Sequence, residues 1–171
     1  MRTLLTSLDE LWISGCPEIV SFPEGGLPTN LSSLDIGSCY KLMESRKEWG
    51  LQTLPSLRGL VIDGGTGGLE SFSEEWLLLP STLFSLEIRS FPDLKSLDNL
   101  GLENLTSLER LVISDCVKLK SFPKQGLPAS LSILEIHRCP VLKKRCQRDK
   151  GKEWRKIAHI HWIDMDGEVM D

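Results

Sequence analysis

Apolar residues recur along the chain in one frame: Leu, two residues, Leu, one residue, Ile and, in four of six copies, Cys three positions later. The copies are Leu8-Leu11-Ile13-Cys16, Leu31-Leu34-Ile36-Cys39, Leu57-Leu60-Ile62, Leu83-Leu86-Ile88, Leu108-Leu111-Ile113-Cys116 and Leu131-Leu134-Ile136-Cys139. Between second leucines, at 11, 34, 60, 86, 111 and 134, the steps are 23, 26, 26, 25 and 23 residues. In each Leu-x-Ile unit the two apolar side chains fall on one face of a short strand and the residue between them on the other. One such strand cannot bury its apolar face alone. The pattern therefore predicts one strand per copy, stacked in parallel about 4.8 Å apart over a shared interior.

Steps of this size lie in the window of about 20 to 29 residues that defines leucine-rich repeats. The predicted fold class is α/β: a leucine-rich repeat solenoid, curved, with a parallel concave sheet and a convex side of loops and turns. About six repeats fill 1–145, and 146–171 is a C-terminal capping segment in which Trp154, Ile157, Ile160 and Trp162 fold over the last rung. Prolines after Phe22, Leu27, Leu54, Leu79, Phe122 and Leu127 interrupt any long helix on the return path. Only Leu42 to Leu51 reads as weakly helical. Ser21-Phe22-Pro23 to Gly26-Leu27-Pro28 returns as Ser121-Phe122-Pro123 to Gly126-Leu127-Pro128, a second-order duplication. The first repeat begins almost at Met1 without a polar cap, which suggests a C-terminal fragment or a truncated product.

Composition supports a repeat architecture: 30 leucines stand against 11 aromatic residues. The formal net charge of −4 gives no cationic field for nucleic acid. The basic run Lys143, Lys144, Arg145, Arg148, Lys150, Lys152, Arg155 and Lys156 is broken by Asp149 and Glu153 and lacks interleaved aromatics, so it reads as a solvated end. The longest apolar run, Trp76 to Leu79, is far too short for a membrane span, and no secretion signal opens the chain. A reducing compartment follows: the cytoplasm, or the nucleus.

Candidate chemistry is sparse. Cys16, Cys39, Cys116 and Cys139 share one repeat position and read as inward-facing structural thiols. His159 and His161 alternate as they would on a partly buried terminal strand, two ligands short of a metal site. Gly64-Gly65-Thr66-Gly67-Gly68 has no following Lys-Ser or Lys-Thr and reads as a flexible loop. The sequons at Asn30 and Asn104 each precede a core leucine and read as unmodified. No catalytic grouping, metal set or cofactor motif is found, so an enzyme is not expected and no cofactor is assigned.

Chemistry varies instead on the outward side of the strands. One column reads Trp12, Asp35, Val61, Glu87, Val112 and Glu135, and the next Ser14, Gly37, Asp63, Arg89, Ser114 and His137. Changing identity on a constant scaffold suits recognition, and aromatic and arginine side chains dominate binding hot spots. The candidate protein-binding residues of the concave face are Trp12, Asp35, Asp63, Glu87, Arg89, Arg110, Glu135 and His137.

Several segments resemble a known family. Ser121-Phe122-Pro123 with Gly126-Leu127-Pro128, Glu74-Glu75-Trp76-Leu77, Cys139-Pro140 with Leu142, and the closing Trp154-Arg155-Lys156-Ile157-Ala158-His159-Ile160 are similar to the C-terminal leucine-rich repeats of plant intracellular nucleotide-binding disease-resistance proteins of the coiled-coil class. The likeness covers nearly the whole chain. It departs at Ser73 and His161, where the family pattern has proline, and the Gly-x-Ile-Pro signature of extracellular plant repeats is absent. The resemblance implies a non-catalytic recognition module in defense and innate immunity. It would sense a pathogen effector or a host guardee and hold inactive a nucleotide-binding switch that this chain lacks. Partners would thus be protein, including the receptor's own nucleotide-binding domain, with no nucleic acid and no membrane span. Cysteine-bearing repeats also occur in substrate receptors of ubiquitin ligases, the alternative reading.

Overall fold

The computed structural model of the chain describes residues 7–23, 26–65, 68–72, 78–98 and 100–170. Ser73, the Glu74-Glu75-Trp76-Leu77 stretch, and Thr66 and Gly67 of the glycine-rich run lie outside the described residues. The fold is α/β, and its strands form one sheet in sequence order. They are β1 (Glu10–Ser14), β2 (Ser33–Gly37), β3 (Gly59–Asp63), β4 (Ser85–Arg89), β5 (Arg110–Ser114), β6 (Ile133–His137), β7 (Trp162–Met165) and β8 (Glu168–Met170). Strands β1 to β7 pair in parallel, and β8 turns back antiparallel on β7. This architecture is compatible with a leucine-rich repeat fold.

The repeat frame becomes the sheet register. Leu11, Leu34, Leu60, Leu86, Leu111 and Leu134 align in one column and Ile13, Ile36, Ile62, Ile88, Ile113 and Ile136 in another, continued by Ile163 and Met165 of β7. From β2 onward both columns are buried; on β1 they are half-buried. Leu31, Leu57, Leu83, Leu108 and Leu131 extend the same core into the strand entries. Each buried leucine contributes about 1.5–3 kcal/mol, so a rung's stability comes from contact with its neighbours.

One backbone carbonyl per rung locks the entry. Asp9 O accepts N–H from both Ser32 and Ser33, Ser32 O from Arg58 and Gly59, Arg58 O from Phe84 and Ser85, and Phe84 O from Glu109 and Arg110. At the exit the chain passes through a left-handed residue: Gly15, Ser38, Ser90, Asp115 and Arg138 have φ of 66°, 51°, 55°, 57° and 52°. That bend turns the next side chain into the core. The next residue is cysteine in four rungs and Phe91 in the fourth, and the substitution is matched next door. A Cβ on Gly64 of the third rung would lie 2.5 Å from the Phe91 ring, so the bulkier residue fits because its neighbour has no side chain.

All five cysteines are free. Cys39 Sγ donates to Gly37 O at 3.1 Å and Cys139 Sγ to His137 O at 3.2 Å, the same bond one duplication apart. The hydrogen bond shared with Cys139, and then burial, hold the Cys116 thiol well above its ordinary value. Burial first, then Glu153, pushes Cys146 up to about 12. Protonated thiols of this kind fill space. On the exit edge, ion pairs link successive rungs: Glu18 to Lys41 at 2.6 Å, Glu70 to Lys95 at 2.7 Å and Asp93 to Lys118 at 2.6 Å. Being exposed, such pairs are screened by solvent and add little to stability.

The expected helical stretch is α1 (Tyr40–Glu44) followed by 3-10 turns at Arg46–Trp49 and Leu51–Thr53, broken where Gly50 turns left-handed. Two short helices were not evident in the sequence: α2 (Pro140–Arg145), with Pro140 at the position that needs no N–H bond, and α3 (Trp154–Ile157). Two expectations for the end of the chain change. His159 and His161 are exposed and precede β7, so they do not share a strand face; Ile160 N–H bonds back to Ile157 O, and the buried Ile160 takes the inward turn between them. Trp162 does not cover the last rung, because its register opposite Ile133 puts it on the outward side, 37% exposed. Ile157 and Ile160 are buried in the core, with Trp154 half-buried against it. Below them the buried Glu153 carboxylate accepts Phe122 N–H at 2.9 Å and the Lys156 ammonium at 2.9 Å.

Candidate protein-binding face

The backbone register that sends leucine and isoleucine inward sends three other columns outward. They begin at Glu10, Trp12 and Ser14 and advance one residue per rung, so each strand repeats the same geometry with new side chains. On β1 to β7 these columns hold six carboxylates, of Glu10, Asp35, Asp63, Glu87, Glu135 and Asp164, against the guanidinium groups of Arg89 and Arg110. The face is acidic, a field that favours approach by a basic surface.

All eight sequence-predicted residues lie on this side, and seven of them fall into two clusters. In the first, Arg89 Nε donates to Glu87 Oε1 at 2.6 Å, and that bond is the main reason the guanidinium is held above its ordinary value. Asp35 and Asp63 stand close enough to act on the same guanidinium. Burial is the largest cause that raises the Asp35 carboxyl; Glu87 and Asp63 raise it further, and Arg89 partly offsets them. Asp63 also fixes the turn after β3, accepting Gly65 N–H at 2.9 Å. In the second cluster Arg110 reaches across to Glu135 at 2.7 Å, and Glu135 lies 3.5 Å from His137 Nε2. Trp12 stands apart at the sheet edge, 71% exposed.

The outward phase does not make every position accessible. Val112 is 3% and Ser114 6% exposed, and Gly37 is buried. Strands about 4.8 Å apart let long side chains of flanking rungs lean over smaller ones. Val112 lies in register between Glu87 and Glu135, and a Cβ on Gly37 would already touch Ser14 and Asp63. Accessible chemistry is thus concentrated in the two clusters and Trp12. The repeat frame missed Asp164 and Trp162, which continue the face on β7; the alternation in Trp162-Ile163-Asp164-Met165 was the available signal. Among the described residues no group of three or more His, Cys, Asp or Glu side chains could hold a metal ion, and no helix is long and apolar enough to cross a membrane.

The raised Asp35 gives a pH-dependent expectation. A carboxyl whose folded pKa exceeds its unfolded value costs stability when ionised, a cost fully present above the folded pKa and absent below the unfolded one. Asp35→Asn should therefore raise the melting temperature at pH 7. The difference should close as pH falls toward about 4, the ordinary carboxylate range. Thermal melts of both proteins across that range check it; a gap that widens on acidification contradicts the burial assignment.

No protein-family model matches the chain, and no solved structure matches it. Among curated sequences it is 43% identical over 145 residues, 85% of its length, to the "Putative disease resistance protein At3g14460" of Arabidopsis thaliana. It is 30% identical over 139 residues, 81% of its length, to the Arabidopsis thaliana disease resistance protein RPS6. The matched parts are 10% and 11% of those proteins, so the chain spans about a tenth of the length of these relatives.

Proposed function

We propose that this homologue of plant disease resistance proteins is a leucine-rich repeat solenoid acting as a non-catalytic protein-recognition module of an intracellular immune receptor of the coiled-coil nucleotide-binding class. In this reading 1–145 are the repeats and 146–171 the cap, and the outward face of the parallel sheet is the concave side. It contacts a pathogen effector, a host guardee or the receptor's own nucleotide-binding domain, in the cytoplasm or nucleus. The observation that carries the reading is the face itself: constant backbone register, an exposed tryptophan and two charged clusters with no catalytic grouping among them. Homology to defense proteins supplies the biological setting.

Trp12 would act as an aromatic anchor, with Asp35, Asp63, Glu87 and Arg89 as one charged determinant and Arg110, Glu135 and His137 as the other. Guanidinium groups already paired within the face are pre-organised, so binding orders few side chains anew. The test places Trp12→Ala, Glu87→Ala and Arg89→Ala together in a receptor that includes its switch domain, expressed in leaf tissue. The expected result is a changed response, either lost sensing or constitutive cell death, at unchanged protein abundance. Signalling indistinguishable from the parent contradicts the assignment.

A further inference from the structure

The cap carries four cationic side chains for which folding supplies no anion. Lys144 and Arg145 lie on the last turn of α2, and Lys150 and Lys152 on the loop that follows. With Pro140, Val141 and Gly151 they line an open depression of about 530 Å³. Neighbouring cations differ: Lys143 turns to Asp166 and Glu168, at 3.2 and 3.4 Å, and Lys156 to Glu153. Among the described residues Lys144, Arg145, Lys150 and Lys152 make no ion pair, and Arg145 Nε is buried without a hydrogen-bond partner. Asp149, which interrupts the run in sequence, does not line the depression.

Compensation of the helix dipole does not account for this grouping. The end of α2 is already served by backbone donors, since Cys146 N–H bonds to Leu142 O and Lys143 O, and Glu153 N–H to Arg145 O. Lys150 and Lys152 are not on the helix at all. They are held beside it because Gly151, having no side chain, packs its backbone directly on Arg145 and Gln147. Like charges brought together by a fixed backbone repel one another, and an anion of several charges relieves that repulsion.

We propose that this depression binds a small, multiply phosphorylated anion. Phosphate oxygens would accept from the three ammonium groups and from the outer N–H groups of the Arg145 guanidinium, and the body of the ligand would rest on Pro140 and the 41% exposed Val141. A single carboxylate neutralises only one of the four charges. The volume falls within the range of about 300–1,000 Å³ of small-ligand sites. A nucleic-acid strand fits less well, because no aromatic side chain lines the depression for base stacking.

The test titrates the full chain calorimetrically with inorganic tripolyphosphate at about 0.1 M salt. In parallel, phosphatidylcholine vesicles with and without a phosphatidylinositol bisphosphate are sedimented with the chain. The expected result is one-to-one binding, weakened roughly tenfold or more by Lys144→Gln, Lys150→Gln and Lys152→Gln together. It should be retained in the control carrying Lys41→Gln, Lys95→Gln and Lys118→Gln, which removes equal charge from ion-paired lysines; thermal melts verify that both variants fold. Capture by tripolyphosphate alone assigns a free phosphorylated metabolite, and capture on bisphosphate vesicles assigns a lipid headgroup. Absence of both, or equal weakening in the two triple variants, overturns the site.

Discussion

Replacing Glu153 by alanine is expected to lower the unfolding free energy by about 3–5 kcal/mol, the range for removing one partner of a buried ion pair. The carboxylate is 6% exposed and Lys156 25%. Its oxygen takes two donors at once, the backbone N–H of Phe122 and the Lys156 ammonium, while that ammonium also donates to Phe122 O at 3.1 Å. One side chain thus joins the start of α3 to the loop after β5. Alanine leaves a cation and a buried amide unmatched, whereas Glu153→Gln keeps an acceptor for Phe122 and should cost less, about 1–3 kcal/mol. Urea unfolding of the two variants and of the Glu153→Ala, Lys156→Ala double variant checks this. The double variant should be less destabilised than the sum of its parts. A loss below about 1 kcal/mol for Glu153→Ala, as for a surface pair, contradicts the buried assignment.

The second large effect is expected at Gly151. A Cβ there would lie 2.0 Å from Arg145 O, 2.5 Å from its carbonyl carbon and 2.7 Å from Gln147 N. These atoms belong to backbone fixed on both sides: Gly151 N–H bonds to Gln147 O at 2.8 Å and Arg145 O accepts Glu153 N–H at 2.9 Å. Relief requires opening the loop, which also removes the register that delivers Glu153 to Phe122. Gly151→Ala should therefore cost about 4 kcal/mol or more. Gly126 offers the contrast, with φ of 93° and nothing within 4 Å of its Cβ position, so Gly126→Ala should cost only about 1 kcal/mol. Equal melting temperatures for the two variants contradict the steric account.

The strands were legible because their information is local. Leu-x-Ile alternation states which side is inward, and the recurrence of the copies every 23 to 26 residues states that the strands stack. Leu86 and Ile88 could thus be placed from residues within one turn of the chain. The matched pair of Gly64 and Phe91 was not legible, since each looks like an irregularity until register brings them together. The short helices α2 and α3 also escaped, at six and four residues too brief for helical periodicity. Glu153 read as an interruption in a basic run, and its burial depends on a donor 31 positions away. On the outward face, residue types could be listed in advance but accessibility could not. Val112 and Ser114 have the outward phase, yet the side chains of neighbouring rungs decide that they are covered.

In the proposed function another protein is met on the outward side of this sheet and not on its return loops. Site-specific photocrosslinking in the intact receptor addresses it directly, with the probe placed in turn at Trp12, Glu87 and His137 on the face and at Gln52, Glu103 and Lys120 on the loops. Protein adducts are expected from the face positions, within the receptor at rest or to a second protein on elicitation, and few from the loops. Adducts confined to the loops, or equal from both sides, would contradict it.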